Sequence, residues 1–363
     1  MKQKNPPIFF IHIPKTAGTS FREAAISRWG KRRVWSDYGD SQHTSQPVRK
    51  LVHQQPDYFA FQQQLLTSRV RMLSAHAPVR FFRRIFPAQR LVTLVRDPVQ
   101  RTVSHYYTAR SKQGYTGTFT EFCEIENNQN VQARYLDQMP PELLGFIGIT
   151  ERYDESVAMF NSIYAEKLNV LSLNTHADKK TSKPSGNLTD AERELALSIN
   201  REDQLLYRAA LAIFETRLSL QARNLRYVHG KVQKIKGQRL EGWAIDTAAP
   251  ETAVELDIYC NGNLVARKTA KEYVASMKER NAERDGYVGF VHVFEHTLKA
   301  DDQIQVRVST SGQVLRGPTR ATIQSSREKD HRGIKTPSDS TLQLSVIDGS
   351  SHYGVSMGKA ANE

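Results

Sequence analysis

This sequence has few cysteines, no long apolar run and no pattern typical of an N-terminal leader. Its 363 residues include 2 cysteines, Cys123 and Cys260, which lie far apart and form neither a metal-binding spacing nor a disulfide framework. No apolar run approaches the roughly 20 residues that a membrane-spanning helix needs. Residues 1–7 lead straight into an apolar strand pattern, so we expect no signal peptide and a cytoplasmic location.

Acidic residues are scarce in the first third of the chain. Residues 1–112 hold 20 Lys and Arg against 5 Asp and Glu, a net charge of +15, whereas the whole chain carries +13 and the remainder is therefore at −2. Such a field concentrates anionic ligands. On charge alone the ligand can be a nucleotide, an acidic glycan or a nucleic acid, and a solvated basic face that binds nothing is the alternative.

The first loop, in IFFIHIPKTAGTSF, lacks the lysine position of an ATP-binding loop. In nucleotide triphosphatases the lysine follows the second glycine of G-x-x-x-x-G-K-[ST], whereas here Lys15 precedes the single glycine, Gly18. A strand that turns directly into a helix points free N–H groups at one spot, where the helix dipole favours an anion. Glycine allows close approach and the hydroxyls add donors. We predict a phosphate site made by Lys15, Thr16, Ala17, Gly18, Thr19 and Ser20, and an ordinary connection with a surface lysine is the alternative.

Strand and helix patterns alternate up to about residue 225. The strand candidates are short and apolar: Ile8–Ile13, Arg71–Ala75, Arg90–Val95, Gly145–Ile149 and Asn169–Leu173. Helices are predicted from Thr19 or Ser20 to Gly30, after Asp97-Pro98, and over Glu151–Tyr164, Thr189–Ile199 and Glu202–Leu225. This order predicts an α/β fold, with a P-loop-like parallel sheet flanked by helices and ligands at the carboxyl ends of its strands.

The pattern changes after Gly230. From Gln238 short alternating strands follow one another, with Asn261-Gly262 as a tight hairpin turn. We predict a small all-β sandwich here. The expected domains are residues 1–228, residues 229–323, and a polar, flexible tail over residues 324–363.

A second polar group follows the strand Arg90–Val95. Arg96 stands at the strand end, Asp97-Pro98 opens a helix, and Ser104 comes two turns later. A strand-end arginine and a helix serine can hold a second phosphate by charge and by hydroxyl. Two phosphate sites on neighbouring strands suit a nucleotide that is phosphorylated at two separate positions. The alternative is that Arg96 pairs with Asp97 or caps a carbonyl.

Together, HIPKTAGTS and LVRDPVQRTVSHYY resemble the carbohydrate sulfotransferases that use 3′-phosphoadenosine 5′-phosphosulfate (PAPS), especially the heparan sulfate 2-O- and 6-O-sulfotransferase branch. The resemblance covers residues 8 to about 225. It implies a sulfotransferase fold, a 5′-phosphosulfate loop from Lys15 to Ser20, a 3′-phosphate site at Arg96 and Ser104, and no metal. The loop His176–Pro184 resembles a segment that closes over the 3′-phosphate, which adds Lys179, Lys180 and Thr181; a flexible basic loop is the alternative.

Sulfuryl transfer to a sugar hydroxyl needs a base for the hydroxyl proton and positive charge at the leaving phosphate. Histidine suits the first role. The resemblance favours His76, in RMLSAHAP, as the base, although position 74 is Ser where two-histidine versions exist. His12 belongs to the first motif but is expected to pack or hydrogen-bond within its strand, and His105, on a predicted surface helix, is the alternative base. Lys15 is the predicted acid or electrostatic stabiliser.

The sequence predicts the acceptor of the sulfuryl group only in general terms. The resemblance, together with the lack of a membrane anchor in this sequence, implies a bacterial enzyme that sulfates a glycan or a glycolipid. Whether this acceptor is acidic is left open. Membrane contact is expected only through a lipid-linked acceptor, and no nucleic acid is expected as a partner. Lys31–Arg33 and the cluster Arg80, Arg83 and Arg84 can hold an acidic acceptor or be solvated charge. A kinase-like transferase and a non-catalytic glycan-binding protein are the rival classes. The oligomeric state does not follow from the sequence.

Overall fold

A five-stranded parallel sheet in the order β2-β3-β1-β4-β5 lies at the centre of the N-terminal half. The computed structural model describes residues 6–171, 188–280 and 282–320. The strands are β1 Ile8–Ile11, β2 Val34–Asp37, β3 Met72–Ala75, β4 Leu91–Val95 and β5 Phe146–Ile149. Every residue of these strands is buried, as expected when both faces of a parallel sheet are covered.

The central position of β1 decides which residues of this half meet. Phe10 of β1 pairs with Ser74 of β3 on one side and with Val92 of β4 on the other. Parallel strands end at the same edge of a sheet, and α/β proteins bind ligands at that edge. The segments that follow β1, β3 and β4 therefore converge there.

The predicted parallel α/β arrangement is confirmed, with four of the five strand candidates near their expected bounds. β2 is not predicted from the sequence, because its four residues form no long apolar run and follow the basic turn Lys31–Arg33. The candidate Asn169–Leu173 is not a strand over residues 169–171, and its last two residues lie outside the described part of the chain.

Helices surround the sheet and largely follow local sequence signals. They are α1 Gly18–Trp29, α2 Gln46–Val48, α3 Tyr58–Thr67, α4 Pro98–Lys112, α5 Phe119–Glu124, α6 Val131–Leu136, α7 Tyr153–Tyr164, α8 Asp190–Ser198 and α9 Arg201–Ala222. The predicted caps of α4 and α8 are confirmed. The Asp97 carboxylate accepts a hydrogen bond from the Gln100 N–H at 2.9 Å, and Thr189 forms a capping box with Glu192.

Two predictions about the helices are wrong in detail. α1 begins at Gly18, so neither Thr19 nor Ser20 caps it. The chain from residue 46 to residue 67, which we left without a helix, contains α2, a π-helical turn over Arg49–Gln54, and α3. Val48, Val52, Phe61 and Leu65 of this segment are buried in the core of the α/β half, so tertiary packing stabilises these short helices.

Two antiparallel sheets follow the α/β half and share a hydrophobic core. One has the order β10-β11-β7-β6 and the other β12-β8-β9. The strands are β6 His229–Lys236, β7 Arg239–Ile245, β8 Glu255–Cys260, β9 Asn263–Thr269, β10 Glu272–Tyr273, β11 Tyr287–Val293 and β12 Ile304–Val308, and α10, Ala275–Glu279, follows β10. Asn261 and Gly262 have φ of 51° and 83°, as the predicted two-residue hairpin turn requires.

The four-stranded sheet packs on both of its faces. Leu240 and Ala244 of β7 belong to the core between the two antiparallel sheets, whereas Trp243 and Ile245 belong to the core of the α/β half. Trp243 is fully buried, so it offers no surface for a sugar. The α/β half and the β-rich half therefore share apolar contacts along β7.

Polar contacts also join the two halves. Glu142 is buried, and its carboxylate lies 3.8 Å from the Lys231 ammonium and 3.4 Å from the Arg316 guanidinium. The His229 Nδ1–H donates to the Glu142 carbonyl at 2.9 Å, and burial lowers the pKa of His229 to about 3. The described residues pack as one compact unit, and the domain limits at residues 228 and 323 stay a prediction.

Candidate active site

The loop between β1 and α1 has an unusual backbone. Lys15 and Ala17 have φ of 71° and 62°, a left-handed conformation that residues other than glycine seldom adopt. The first hydrogen bond of the helix runs from the Phe21 N–H to the Ala17 carbonyl at 3.2 Å, and no side chain caps α1. The N–H groups of the first helical turn, from Gly18 to Ser20, therefore point out of the helix end, where an anion is favoured.

Two residues of this loop are fixed by their protein neighbours. The Thr16 hydroxyl donates to the Ile13 carbonyl at 2.9 Å and is fully buried, so Thr16 offers a ligand its backbone rather than its hydroxyl. A Cβ on Gly18 would lie 2.1 Å from Cδ2 and 2.4 Å from Nε2 of His12. The glycine is thus required by the His12 ring as well as by any approach of a ligand.

Two histidines lie against each other where β1 and β3 end. The rings of His12 and His76 have centroids 4.0 Å apart, and the Tyr38 ring lies 5.0 Å from that of His76. His12 is buried, and its Nδ1 lies 3.5 Å from the Ser74 hydroxyl. His76 is partly exposed, so of the two imidazoles it is the one open to a substrate.

Both imidazoles are neutral at physiological pH. Burial is the main cause of the low pKa of His12, with smaller contributions from the charges of His76 and Arg22. Burial, and then the Arg22 guanidinium, lowers the pKa of His76 to about 4. A neutral imidazole has a nitrogen lone pair that can accept a proton.

On the other side of β1, Arg96 connects the two sequence motifs. It follows β4, and its Nη1 donates to the Lys15 carbonyl at 3.4 Å. Its Nε lies 3.9 Å from the Glu151 carboxylate, whereas Asp97 caps α4 instead of bonding to the guanidinium. Burial lowers the pKa of Arg96 and the Glu151 charge opposes this shift, so Arg96 stays cationic.

The backbone of Arg96 is held by Gln132, a residue that the sequence analysis does not single out. The Arg96 N–H donates to the Gln132 Oε1 at 2.8 Å, and the Gln132 Nε2 donates back to the Arg96 carbonyl at 2.9 Å. Gln132 is fully buried at the start of α6. The Asp203 carboxylate accepts the N–H groups of Gln132 and Ala133 at 3.2 and 2.8 Å. The only signal in the sequence is the segment NVQARYL, which does not reveal its distant partners.

α4 brings further polar groups to this side. Ser104 is half-buried, and its carbonyl accepts from the Thr108 hydroxyl at 2.8 Å. His105 is half-buried rather than fully exposed on its helix, because its ring packs 5.2 Å from Phe122 and its Nδ1 is buried. Burial, and then the charges of Arg101 and Lys15, lowers the pKa of His105 to about 4.

Three predicted site residues lie outside the described part of the chain. Lys179, Lys180 and Thr181 lie in the undescribed residues 172–187. Among the described residues, no group of three or more His, Cys, Asp or Glu is placed to hold a metal ion. No helix in the described ranges has both the length and the apolar character that crossing a membrane requires.

Comparison with known families agrees with this architecture. A model of the sulfotransferase family matches residues 1–215, which is more than half of the chain and includes the parallel sheet and both motifs. The chain belongs to the sulfotransferase family. No curated protein matches it. Membership of this family supports a transferase whose general activity is sulfuryl transfer.

Proposed function

We propose that this protein transfers a sulfuryl group from PAPS to a hydroxyl of a glycan or glycolipid. The observation that carries the proposal is the position of the loop Lys15–Ser20 between two side chains of different chemistry. Arg96 bonds to the Lys15 carbonyl on the β4 side, and His76 stacks on His12 on the β3 side. An anion held by the loop would thus have a cation on one flank and a proton acceptor on the other.

The residues fit a donor with two separated phosphates. The helix N–H groups of Gly18, Thr19 and Ser20 suit the phosphosulfate end, and the Arg96 guanidinium with the Ser104 hydroxyl suits a 3′-phosphate. All of these groups donate hydrogen bonds, and phosphate oxygens accept them. When bound, this donor supplies a sulfuryl group attached to a phosphate that leaves as an anion.

The roles of the protein groups follow from their charges. The neutral His76 takes the proton of the acceptor hydroxyl as its oxygen attacks sulfur. The Lys15 ammonium stabilises the negative charge that grows on the departing phosphate oxygen. Buried His12 keeps the His76 ring in place by direct ring contact.

The finer assignments come from the sequence resemblance. We propose a heparan sulfate 2-O- or 6-O-sulfotransferase-like branch, a bacterial cytoplasmic enzyme, and Lys179, Lys180 and Thr181 as further contacts to the 3′-phosphate. The net charge of +15 over residues 1–112 favours anionic ligands on this half.

Calorimetric titration of the purified chain with 3′-phosphoadenosine 5′-phosphate, ADP and ATP, with and without magnesium, tests the donor class. We expect a preference of at least about tenfold, ~1.4 kcal/mol, for the 3′-phosphorylated nucleotide, independent of magnesium. Tighter, magnesium-dependent ATP binding would instead support a kinase-like transferase. A His76→Ala variant that leaves turnover unchanged would remove the proposed base.

A further inference from the structure

A cavity of about 370 Å³ lies where the two halves of the molecule meet, away from the loop Lys15–Ser20. Arg84 lines it from the α/β half, and Tyr273 of β10 with Ala275, Lys278 and Glu279 of α10 line it from the β-rich half. Arg84 belongs to a basic cluster that can hold an acidic acceptor or be solvated charge, whereas the lining residues of the β-rich half lie outside the sequence resemblance.

Tyr273 lines the cavity, and Tyr287 lies beside it with its ring plane tilted by 51° from that of Tyr273. Tyr273 and Tyr287 are cross-strand partners on β10 and β11, and their ring centroids lie 5.2 Å apart. Their exposed fractions are 50% and 51%. A half-exposed phenol presents a rigid apolar face and a polar hydroxyl, which suits a sugar ring with its apolar C–H face and polar rim.

Two cationic side chains, Arg84 and Lys278, line the cavity together with Tyr273. The Lys278 ammonium lies 3.0 Å from the Asp285 carboxylate, but both side chains are more than half exposed, and such a surface pair exchanges its partners at little cost in free energy. Arg84 is exposed and forms no ion pair with any residue in the part of the chain that the structure describes. The residues that line the cavity include two cations, Arg84 and Lys278, and one carboxylate, Glu279.

We propose that this cavity binds an acidic sugar of an oligosaccharide, with the ring on Tyr273 and Tyr287 and the carboxylate on Arg84 and Lys278. The role of this cavity as an acceptor subsite rests on the proposed function. Arg84 follows His76 by eight residues, so their Cα atoms are at most about 29 Å apart along an extended chain. An extended oligosaccharide can bind in the cavity while another of its sugars reaches His76.

Calorimetric titration of the full chain with a hyaluronan hexasaccharide, which alternates glucuronate with N-acetylglucosamine, tests the cavity without any donor nucleotide. Chitohexaose, a neutral hexasaccharide, is the matched ligand. We expect the acidic sugar to bind at least about tenfold more tightly than the neutral one. Tyr273→Ala and Arg84→Gln should each weaken its binding about five- to tenfold, while Tyr273→Phe keeps most of the affinity because it keeps the ring.

Matched variants separate this cavity from the rest of the surface. Tyr58→Ala removes a tyrosine of similar exposure, 44%, on α3, and Arg32→Gln removes a cation of the competing basic turn Lys31–Arg33. Both should leave the affinity for the hyaluronan hexasaccharide within twofold of the wild type. Melting temperatures of all variants establish that they are folded.

The outcomes distinguish this inference from the donor assignment. Loss of hexasaccharide binding in the two cavity variants, with unchanged 3′-phosphoadenosine 5′-phosphate binding, supports the cavity. Unchanged affinity in both variants, equal affinity for the two hexasaccharides, or no binding by the wild type overturns it. Failure of the nucleotide to bind the wild type would overturn the proposed function and leave the sugar result to be judged by itself.

Discussion

The two flanks of β1 are built in opposite ways. On the β3 flank His12 and His76 stack beside Tyr38, and both imidazoles are neutral. On the β4 flank Arg96 bonds to the Lys15 carbonyl, and buried polar groups hold its backbone. One flank presents a proton acceptor, and the other presents fixed positive charge.

The same physical cause acts on both flanks with different results. Burial lowers the pKa of His76 to about 4, so the side chain is uncharged at pH 7. Burial also lowers the pKa of Arg96, but an arginine starts so far above neutral pH that the guanidinium keeps its charge. A partly buried sheet edge can thus hold a neutral base and a cation on the two sides of its central strand, because histidine and arginine start from very different pKa values.

The largest effect is expected from removing the base on the β3 flank. His76→Ala should lower kcat roughly 10²–10⁴-fold, because the acceptor hydroxyl loses its proton acceptor. Sulfate transfer from radiolabelled PAPS measures it, with His43→Ala, an exposed loop histidine, as the matched variant. A loss of less than tenfold, or an equal loss in both variants, would contradict the division between the flanks.

The next largest effect is expected on the β4 flank. Lys15→Ala should lower kcat roughly 10²–10³-fold while it changes nucleotide affinity much less, because the charge acts on the departing phosphate oxygen. Single-turnover transfer and calorimetry separate the two quantities, and Lys112→Ala at the exposed end of α4 is the control. Equal losses in transfer and in binding would show that Lys15 only binds.

Arg96→Ala should affect binding rather than chemistry. Loss of a charge-assisted hydrogen bond costs about 1.5–3 kcal/mol, so affinity for 3′-phosphoadenosine 5′-phosphate should fall roughly 10- to 100-fold, with little change for ADP. Titration with both nucleotides measures this selectivity, and Arg110→Ala, an exposed arginine near the end of α4, serves as the matched variant. If the preference over ADP persists unchanged, Arg96 does not read the 3′-phosphate.

A smaller effect is expected from Gln132, the positioning residue behind Arg96. Gln132→Met keeps the volume and removes both hydrogen bonds to the Arg96 backbone, so the preference for the 3′-phosphorylated nucleotide should fall about tenfold or less. Gln129→Met, which removes a side-chain hydrogen bond to the Cys123 carbonyl, is matched to it. A purely structural role would lower the melting temperature in both variants and leave the nucleotide preference intact.

The smallest change is expected from pH. With the pKa of His76 at about 4, its base form persists on acidification from pH 8, and kcat/KM should stay nearly constant down to about pH 5. Below that pH the base becomes protonated and kcat/KM should fall with a slope of one. Circular dichroism at each pH confirms that the chain is still folded. An acid limb near pH 6.5 would show that a solvent-like histidine is the base.

Local signals predicted the parts of the site that lie next to one another in the chain. The apolar strand before Lys15 and the Asp97-Pro98 cap are both readable from a few residues. Contacts between distant segments were not readable, because they depend on the folded arrangement. The bonds from Gln132 to Arg96 and the pairing of Tyr273 with Tyr287 are of this kind.

Burial was the other quantity that the sequence left open. Spacing alone placed His105 on a surface helix, whereas α5 covers it through Phe122. The hydroxyl of Thr16 was counted as a donor for a ligand, but the Ile13 carbonyl already accepts from it. A pattern in one segment gives the chemistry of a side chain, and neighbours from other segments decide whether that chemistry is free to act.

Because β7 contributes to two cores at once, the β-rich half cannot be treated as an exchangeable attachment. Cutting the chain after residue 228 would remove Trp243 and Ile245 from the core of the α/β half and leave the Glu142 carboxylate without Lys231 and Arg316. Apolar surface and an uncompensated charge would then face water. Studies of transfer by this enzyme therefore need both halves in one polypeptide, and chimaeras are better joined outside β7.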